Sequence, residues 1–287
     1  MKIPLKHTFV RDGKGGQIVF PEFASQSVID QINRDFVVRD DDLFVVTYPK
    51  SGSSWIRQIV HLLVNQGETG DVNLREALPY LERFVGYGKY DVFERPSPRR
   101  YLSHCPYQLM FGVQNSRANY VYVARNPKDC AVSTYHFALE HPDFAYTGNW
   151  DEFFELFMAG YMHYGLWFDH VLGWWQASQQ ADNILFVKYE DFHRQRAVSI
   201  MQLADFIGYP VTPALLAQVI QKSSFQSVAA DPKSNLGRAS LQGGEVKHLR
   251  KGEIGDWQNY FTAEQNHRFD NLYQERMAGT GLEFIFA

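Results

Sequence analysis

The run T-Y-P-K-S-G-S-S-W, Thr47 to Trp55, places Lys50, Ser51, Gly52, Ser53 and Ser54 between an apolar stretch and an amphipathic one. Where a strand turns into a helix, the first backbone N–H groups of the helix lack carbonyl partners and point outward. A glycine there permits close approach, so the run makes an anion cradle to which Lys50 adds charge and the serines add hydroxyl donors. Its order is not that of the G-x-x-x-x-G-K-[ST] phosphate loop, because the lysine precedes the glycine and there is only one glycine. A second run, Y-V-Y-V-A-R-N-P-K-D-C-A-V-S (Tyr120 to Ser133), sets Arg125 at the end of an apolar stretch, Asp129 at a position suited to a helix start, and Ser133 in the following turns. Arginine offers a planar fork of donors that matches a phosphate. Taken alone, the run fits a surface ion pair with a helix cap equally well. A third run, R-K-G-E-I-G-D-W (Arg250 to Trp257), has two adjacent cations whose flanking glycines and Trp257 favour a phosphate clamp over a solvated basic patch. Three separate anion-binding runs point to a nucleotide carrying phosphate at two places.

These runs need elements to hold them. Leu43 to Thr47 is a short β-branched apolar run, predicted as a buried strand. Trp55, Ile59, Leu62 and Leu63 recur at helical spacing, which predicts an amphipathic helix ending near Gly67. Tyr120 to Ala124 repeats the strand, with Asp129 to Glu140 as its helix. Ile184 to Val187 makes a third strand, closing on Tyr189, Glu190 and Asp191 before a helical pattern from Ala197 to Ile207. Strands spaced by helices imply a parallel sheet covered on both faces. Trp150 to Gln176 is dense in aromatics and reads as a core helix or a pair of them. Asp231 to Gly255 is polar and glycine-rich, includes Lys247, and is expected to be a long loop in which Arg250, Lys251 and Gly252 gain a partner only when a ligand phosphate arrives.

With 287 residues, 45% of them hydrophobic and 21% charged, the chain suits one compact α/β domain over residues 1–287. Its 28 basic against 32 acidic residues give a formal charge of -4, which argues against nucleic acid as a partner and requires a local cluster for any anion. Cys105 and Cys130 form neither a disulfide framework nor a metal-ligand spacing, so a reducing cytoplasm and no metal are expected. Met1 to Pro21 is broken by charge and glycine, and no apolar run nears the roughly 18 residues of a membrane span, so no membrane partner is expected.

T-Y-P-K-S-G-S-S-W, Y-V-A-R-N-P-K-D-C-A-V-S-T-Y-H-F and R-K-G-E-I-G-D-W-Q-N-Y-F-T resemble the three signatures of the cytosolic sulfotransferase family, which uses 3′-phosphoadenosine 5′-phosphosulfate (PAPS). F-M-A-G-Y-M-H-Y-G-L-W-F-D-H-V-L-G-W-W and I-L-F-V-K-Y-E-D-F are also similar to that family, so the resemblance covers nearly the whole chain from about Phe44. It implies a P-loop-like sulfotransferase fold, a single α/β domain with a central parallel sheet flanked by helices. It also implies in-line transfer of a sulfuryl group to a hydroxyl or amine of a small-molecule acceptor, with 3′,5′-adenosine bisphosphate (PAP) as product and no metal. Lys50, Ser51, Gly52, Ser53 and Ser54 would surround the 5′-phosphosulfate, with Lys50 on the bridging oxygen. Trp55 and Phe225 would cover the adenine, and Ser223 and Tyr189 would contact it. Arg125, Ser133, Arg250, Lys251 and Gly252 would hold the 3′-phosphate. His104, in Y-L-S-H-C-P, stands where the family has its general base, and a histidine suits that task because its ordinary pKa of about 6.5 lies near neutrality. Lys50 and Ser133 complete the catalytic set, and Tyr80 and Phe137 join His104 in the acceptor pocket. Either the Tyr80 hydroxyl selects a more polar acceptor or the two rings simply pack.

His61, His136, His163 and His170 fall on helical segments dense in core residues and are expected to be packed. Two positions depart from the family. A lysine that helps hold the sulfuryl group is replaced by Leu102, with Arg99 or Arg100 at the strand's start as candidate substitutes. The short dimerisation motif is not recognisable in Ala239 to Leu249, which leaves monomer or homodimer open. A P-loop kinase is disfavoured by the order of the first run, and a catalytically silent nucleotide-binding protein by the presence of both Lys50 and His104. Whether the acceptor is a phenol, alcohol, amine or specialised metabolite is not written in these motifs.

Overall fold

Helices cover Leu43 to Thr47 on both sides, which is why all five residues are apolar or buried; around this strand the computed structural model describes residues 3–234 and 250–287, with the backbone alone of 238–239 and 245–246. An N-terminal hairpin, β1 (Thr8–Arg11) and β2 (Gln17–Phe20), and helix α1 (Gln26–Asp35) lead into β3 (Leu43–Thr47). Then follow α2 (Ser53–Val64), α3 (Leu74–Ala77), α4 (Leu81–Gly86), β4 (Arg100–Ser103), β5 (Asn119–Ala124) and α5 (Pro127–Glu140). The second half holds α6 (Trp150–Met158), α7 (Trp167–Ser178), β6 (Ile184–Lys188), α8 (Tyr189–Arg194), α9 (Arg196–Phe206), α10 (Pro213–Lys222) and α11 (Phe225–Ala230). A two-residue ladder, β7 (Arg238–Ala239) with β8 (Glu245–Val246), precedes α12 (Ala263–Met277).

The central sheet has the order β4-β3-β5-β6 and every pairing in it is parallel. Because successive side chains alternate between faces, Phe44, Val46, Tyr101, Tyr120 and Tyr122 join one core with the aromatics of α6 and α7. Leu43, Val45, Leu102, Val121 and Val123 join the other with α2, α9 and α10. The ring of Phe44 stacks between Tyr101 and Tyr120, at 5.4 and 5.0 Å. Full burial of such a side chain contributes about 1.5–3 kcal/mol, so this aromatic layer sets the sheet's register firmly.

The strands expected at 43–47, 120–124 and 184–187 are present, and the aromatic segment is the pair α6 and α7. The helix expected from Asp129 starts at Pro127, with Asn126 and not Asp129 as its cap: the Asn126 side chain accepts from the Asp129 backbone N–H. Tyr189 to Asp191, on which the third strand closes, open a further short helix ahead of the one expected from Ala197. The middle of the segment read as a long loop, Lys247 included, lies outside the described residues, as does most of 239–249; β7 and β8 show that the segment is not wholly irregular. Among the described residues no helix is long and apolar enough to cross a membrane.

At the N-terminal edge of the sheet Arg99 and Asp42 form a buried bidentate pair, Nε to Oδ1 at 2.7 Å and Nη2 to Oδ2 at 2.5 Å. The same guanidinium donates to the carbonyls of Phe93 and Val37, so it binds the chain before β4 to the chain before β3. Removing one partner of a buried pair leaves the other charge uncompensated. Asp42→Ala is therefore expected to cost about 3–5 kcal/mol in denaturant unfolding, against a small effect for a surface pair such as Arg34–Asp35.

Candidate active site

The parallel arrangement brings four strand ends to one edge, and each site segment begins there. Lys50 follows β3 by three residues, while His104, Arg125 and Tyr189 directly follow β4, β5 and β6. All four line one deep cleft, together with Gly52, Ser53, Ser54, Trp55, Ser133, Phe225, Arg250, Lys251 and Gly252. Tyr80 and Phe137 line it as well. A crevice at the carboxyl ends of the strands is where open α/β sheets bind ligands.

After β3 the backbone turns sharply: Lys50 has φ 69° and Gly52, the N-cap of α2, has φ 99°. No side chain caps α2, so the N–H groups at its start face the cleft as donors. A Cβ on Gly52 would stand 2.7 Å from the Tyr189 ring, which makes glycine necessary for both conformation and space. Lys50 extends over Phe137, its Nζ 4.0 Å from the ring centroid. Burial first, then Arg125 and Arg250, pull its pKa down to about 7. A group in that state regains its charge when an anion enters.

His104 is held from three sides. Its Nδ1–H donates to the Thr47 carbonyl at 2.7 Å, with Thr47 Oγ1 at 3.0 Å, which leaves the lone pair on Nε2. Its backbone N–H donates to Glu82 and its carbonyl accepts from His170 Nε2. Burial lowers its pKa to about 3, against the opposing bond to Thr47, so the imidazole is neutral and able to accept a proton. Tyr80 and Tyr164 set their rings 5.0 and 5.6 Å from it and bond to each other through their hydroxyls. The Tyr80 hydroxyl is thus engaged within the wall.

Around the opposite end of the cleft, Arg125 donates from Nη2 to the Glu253 carbonyl at 2.8 Å, lies 3.6 Å from Asp129, and covers the Tyr189 ring. Asp129 accepts from the backbone N–H groups of Gly255 and Trp257 and so ties the Arg250 segment to the start of α5. Arg250 and Lys251 both bind Asp256 at 2.5 Å. Burial alone would raise Asp256, but the bonds from Lys251, Asn259 and Arg250 hold it at about 2. The expectation that these two cations lack a partner before a phosphate arrives is therefore corrected: Asp256 holds both in place. Gly252, at φ 72°, lies under Phe225, whose ring a Cβ would meet at 2.7 Å.

Two expected residues do not face the cleft. The Ser51 hydroxyl is buried against Cys130 Sγ at 3.4 Å. Ser223 is buried too, and its carbonyl accepts from Trp55 Nε1 at 2.8 Å, which fixes that indole. Arg99 and Arg100 do not substitute for a lysine at 102: Arg99 pairs with Asp42 and Arg100 with the Tyr209 hydroxyl, at the strand's other end. His61, His136 and His170 are packed against Thr69, Tyr260 and Tyr122. His163 is packed and also lines the cleft.

Sequence reasoning missed Arg57 and Arg196. Both line the cleft, and Nε of Arg57, Arg125, Arg196 and Arg250 is in each case buried without a hydrogen-bond partner. An arginine inside a helical apolar pattern, as in W-I-R-Q-I-V, was the available signal for Arg57. Buried polar groups are nearly always paired, so four orphaned guanidinium N–H groups around one cleft fit a polyanionic ligand. Among the described residues no group of three or more His, Cys, Asp or Glu could hold a metal ion.

The sulfotransferase domain model matches residues 40–281. Human sulfotransferase 1C2 is 35% identical over 264 residues, covering 88% of each chain. Human sulfotransferase 2A1 is 35% identical over 91% of this chain and 93% of its own, and rabbit amine sulfotransferase 35% identical over 88% and 86%. Among solved structures, mouse sulfotransferase SULT7A1 complexed with PAP superposes with a TM-score of 0.75 at 29% identity over 93% of each chain.

The packed histidines make stability depend on pH. His170 is held neutral by burial, its pKa lowered to about 4, against about 6.5 in the unfolded chain. Its contribution is whole above about pH 6.5 and is lost as pH falls toward 4. Glu190, raised to about 7 by burial, acts in the opposite sense, so the comparison must be by difference. The gap in melting temperature between wild type and His170→Gln is expected to be wider at pH 7.5 than at pH 5.0; a gap that does not change with pH contradicts it.

Proposed function

This chain belongs to the cytosolic sulfotransferase family, and from that premise we propose that its whole length, residues 1–287, acts as one domain that moves a sulfuryl group from PAPS to a small-molecule hydroxyl or amine. The observation that carries the donor reading is the ring of orphaned arginine Nε groups around the cleft, joined by a lysine whose charge burial has weakened. Such groups fit a ligand with anionic charge at two separated places. Arg125, Ser133, Arg250, Lys251 and Gly252 form the 3′-phosphate end. Trp55, Tyr189 and Phe225 form the base end. Lys50 and the backbone of 51–54 form the end where sulfur is transferred.

His104 Nε2 takes the proton of the acceptor hydroxyl as that oxygen bonds to sulfur. On the far side of sulfur the bond to the bridging phosphate oxygen breaks, and Lys50 meets the charge that gathers there; PAP leaves. Fixed donors that need no reorganisation at the moment of reaction supply the positive field. Phe23, Tyr80, Phe84, Phe137, Phe144 and Tyr164 give the acceptor side aromatic walls. With the Tyr80 hydroxyl already bonded to Tyr164, these walls favour a largely apolar acceptor.

PAP is expected to raise the melting temperature, by mass action on the native state, and ATP with magnesium is not; the reverse would support a kinase. His104→Ala is expected to lower kcat/KM by about 10²–10⁴-fold with PAP affinity nearly unchanged. Lys50→Ala should lower the single-turnover rate more than affinity, and Arg125→Ala should mainly weaken PAP binding. Titration and single-turnover measurements showing the opposite split would exchange these two assignments.

A further inference from the structure

Arg57 stands one helical turn beyond Ser53 and Ser54 on α2 and is only 4% exposed, yet it lines the same cleft as Lys50 and His104. Its Nη2 donates to the carbonyls of Leu74 at 2.8 Å and Leu78 at 2.5 Å, while Nε is buried without a partner. No carboxylate is among the groups that act on its charge. Burial, and then repulsion from Arg75, lower its pKa to about 9, so it stays protonated at neutral pH. A buried cation that has carbonyl partners but no carboxylate, with a second cation near it, is disfavoured unless an anion reaches it.

Leu102 turns its side chain to the α2 face of the sheet, where it packs in the same core cluster as Ile56 and Ile59 on either side of Arg57 in sequence. Arg57 and Leu102 both line the cleft, so a cation carried by α2 opens on the same space as the side chain at position 102. Arg57 is also among the charges that lower the His104 pKa, alongside Lys50, so its guanidinium lies within electrostatic reach of the general base. The two carbonyl bonds restrict its rotamers and fix the fork before any ligand binds.

We propose that Arg57 is the sulfuryl-facing cation of this site, donating to the transferred group in the place left by Leu102. The assignment rests on the donor proposed above. A cation on the sulfuryl group acts little on PAP, which lacks that group, and acts most in the transition state. The competing role is a purely structural tether from α2 to the segment 74–78.

Arg57→Gln keeps a donor for the carbonyls and removes the charge. It is expected to bind PAP within about twofold of wild type while single-turnover transfer falls by about 10²-fold, the loss typical of one transition-state donor. Adding Leu102→Lys to Arg57→Gln is expected to restore at least about tenfold of that loss. Leu102→Lys alone, which crowds two cations into one space, is expected to be no faster than wild type. Transfer by Arg57→Gln at the wild-type rate, failure of the double variant to recover while binding PAP normally, or acceleration of about tenfold by Leu102→Lys alone each overturns the assignment. If Arg57→Gln does not fold, the last of these still decides. A wild-type chain that takes up no PAP overturns the donor reading itself; one that binds PAP and transfers, with Arg57→Gln equally fast, overturns only the role of Arg57.

Discussion

The cleft concentrates more positive charge than the fold compensates. Lys50, Arg57, Arg125, Arg196 and Arg250 all line it, in a chain whose formal charge is -4. The carboxylates that pair with this set are few and shared: Asp129 accepts two backbone N–H groups besides facing Arg125, and Asp256 is shared between Arg250 and Lys251. Glu190 is close, but burial raises it to about 7, so near neutrality it offers only partial charge. The folded protein bears this desolvation cost, and an anion with two charged ends relieves it. Ligand binding and stability are therefore coupled through the same residues.

Holding those cations in the open cleft without collapse requires rigid supports. The parallel sheet supplies them by ending β3, β4, β5 and β6 at one edge, where a side chain one to three residues past the strand has little freedom to wander. Asp129 then carries the arrangement to the far segment, which has no strand of the central sheet beneath it. On the acceptor side, Glu82 and His170 hold the His104 backbone from behind while Thr47 fixes its tautomer. The imidazole is thus oriented by buried partners, and burial lowers its proton affinity.

Much of this was written in local patterns. The strand at 43–47, the glycine at 52 and the helix after it are a matter of alternation, backbone freedom and helical spacing within about twenty residues, and they recur in the structure with shifts of a residue or two. The three anion-binding runs are contiguous for the same reason: each is a strand end, a turn or a helix start, and local sequence determines those. Family motifs placed His104 without any knowledge of Thr47 behind it.

What local sequence could not decide was which side chains share a space. Ser51 and Ser223 are in the right segments, but tertiary packing turns Ser51 into the core and leaves Ser223 only a carbonyl to hold Trp55. Arg99 and Arg100 lie two and three residues before Leu102 and Ser103, yet alternation and strand direction send them to the far edge, where Asp42 and Tyr209 meet them. Arg57 reads as one charge on an amphipathic helix; only the docking of α2 against β3 and the segment 74–78 shows that it is buried, unpaired by any carboxylate and within electrostatic reach of His104. Sequence by itself determined the elements, the donor motifs and the family, because these depend on neighbours along the chain. The tertiary structure alone decided the electrostatics of the cleft, because Coulomb interactions and desolvation depend on distances between residues that are far apart in sequence.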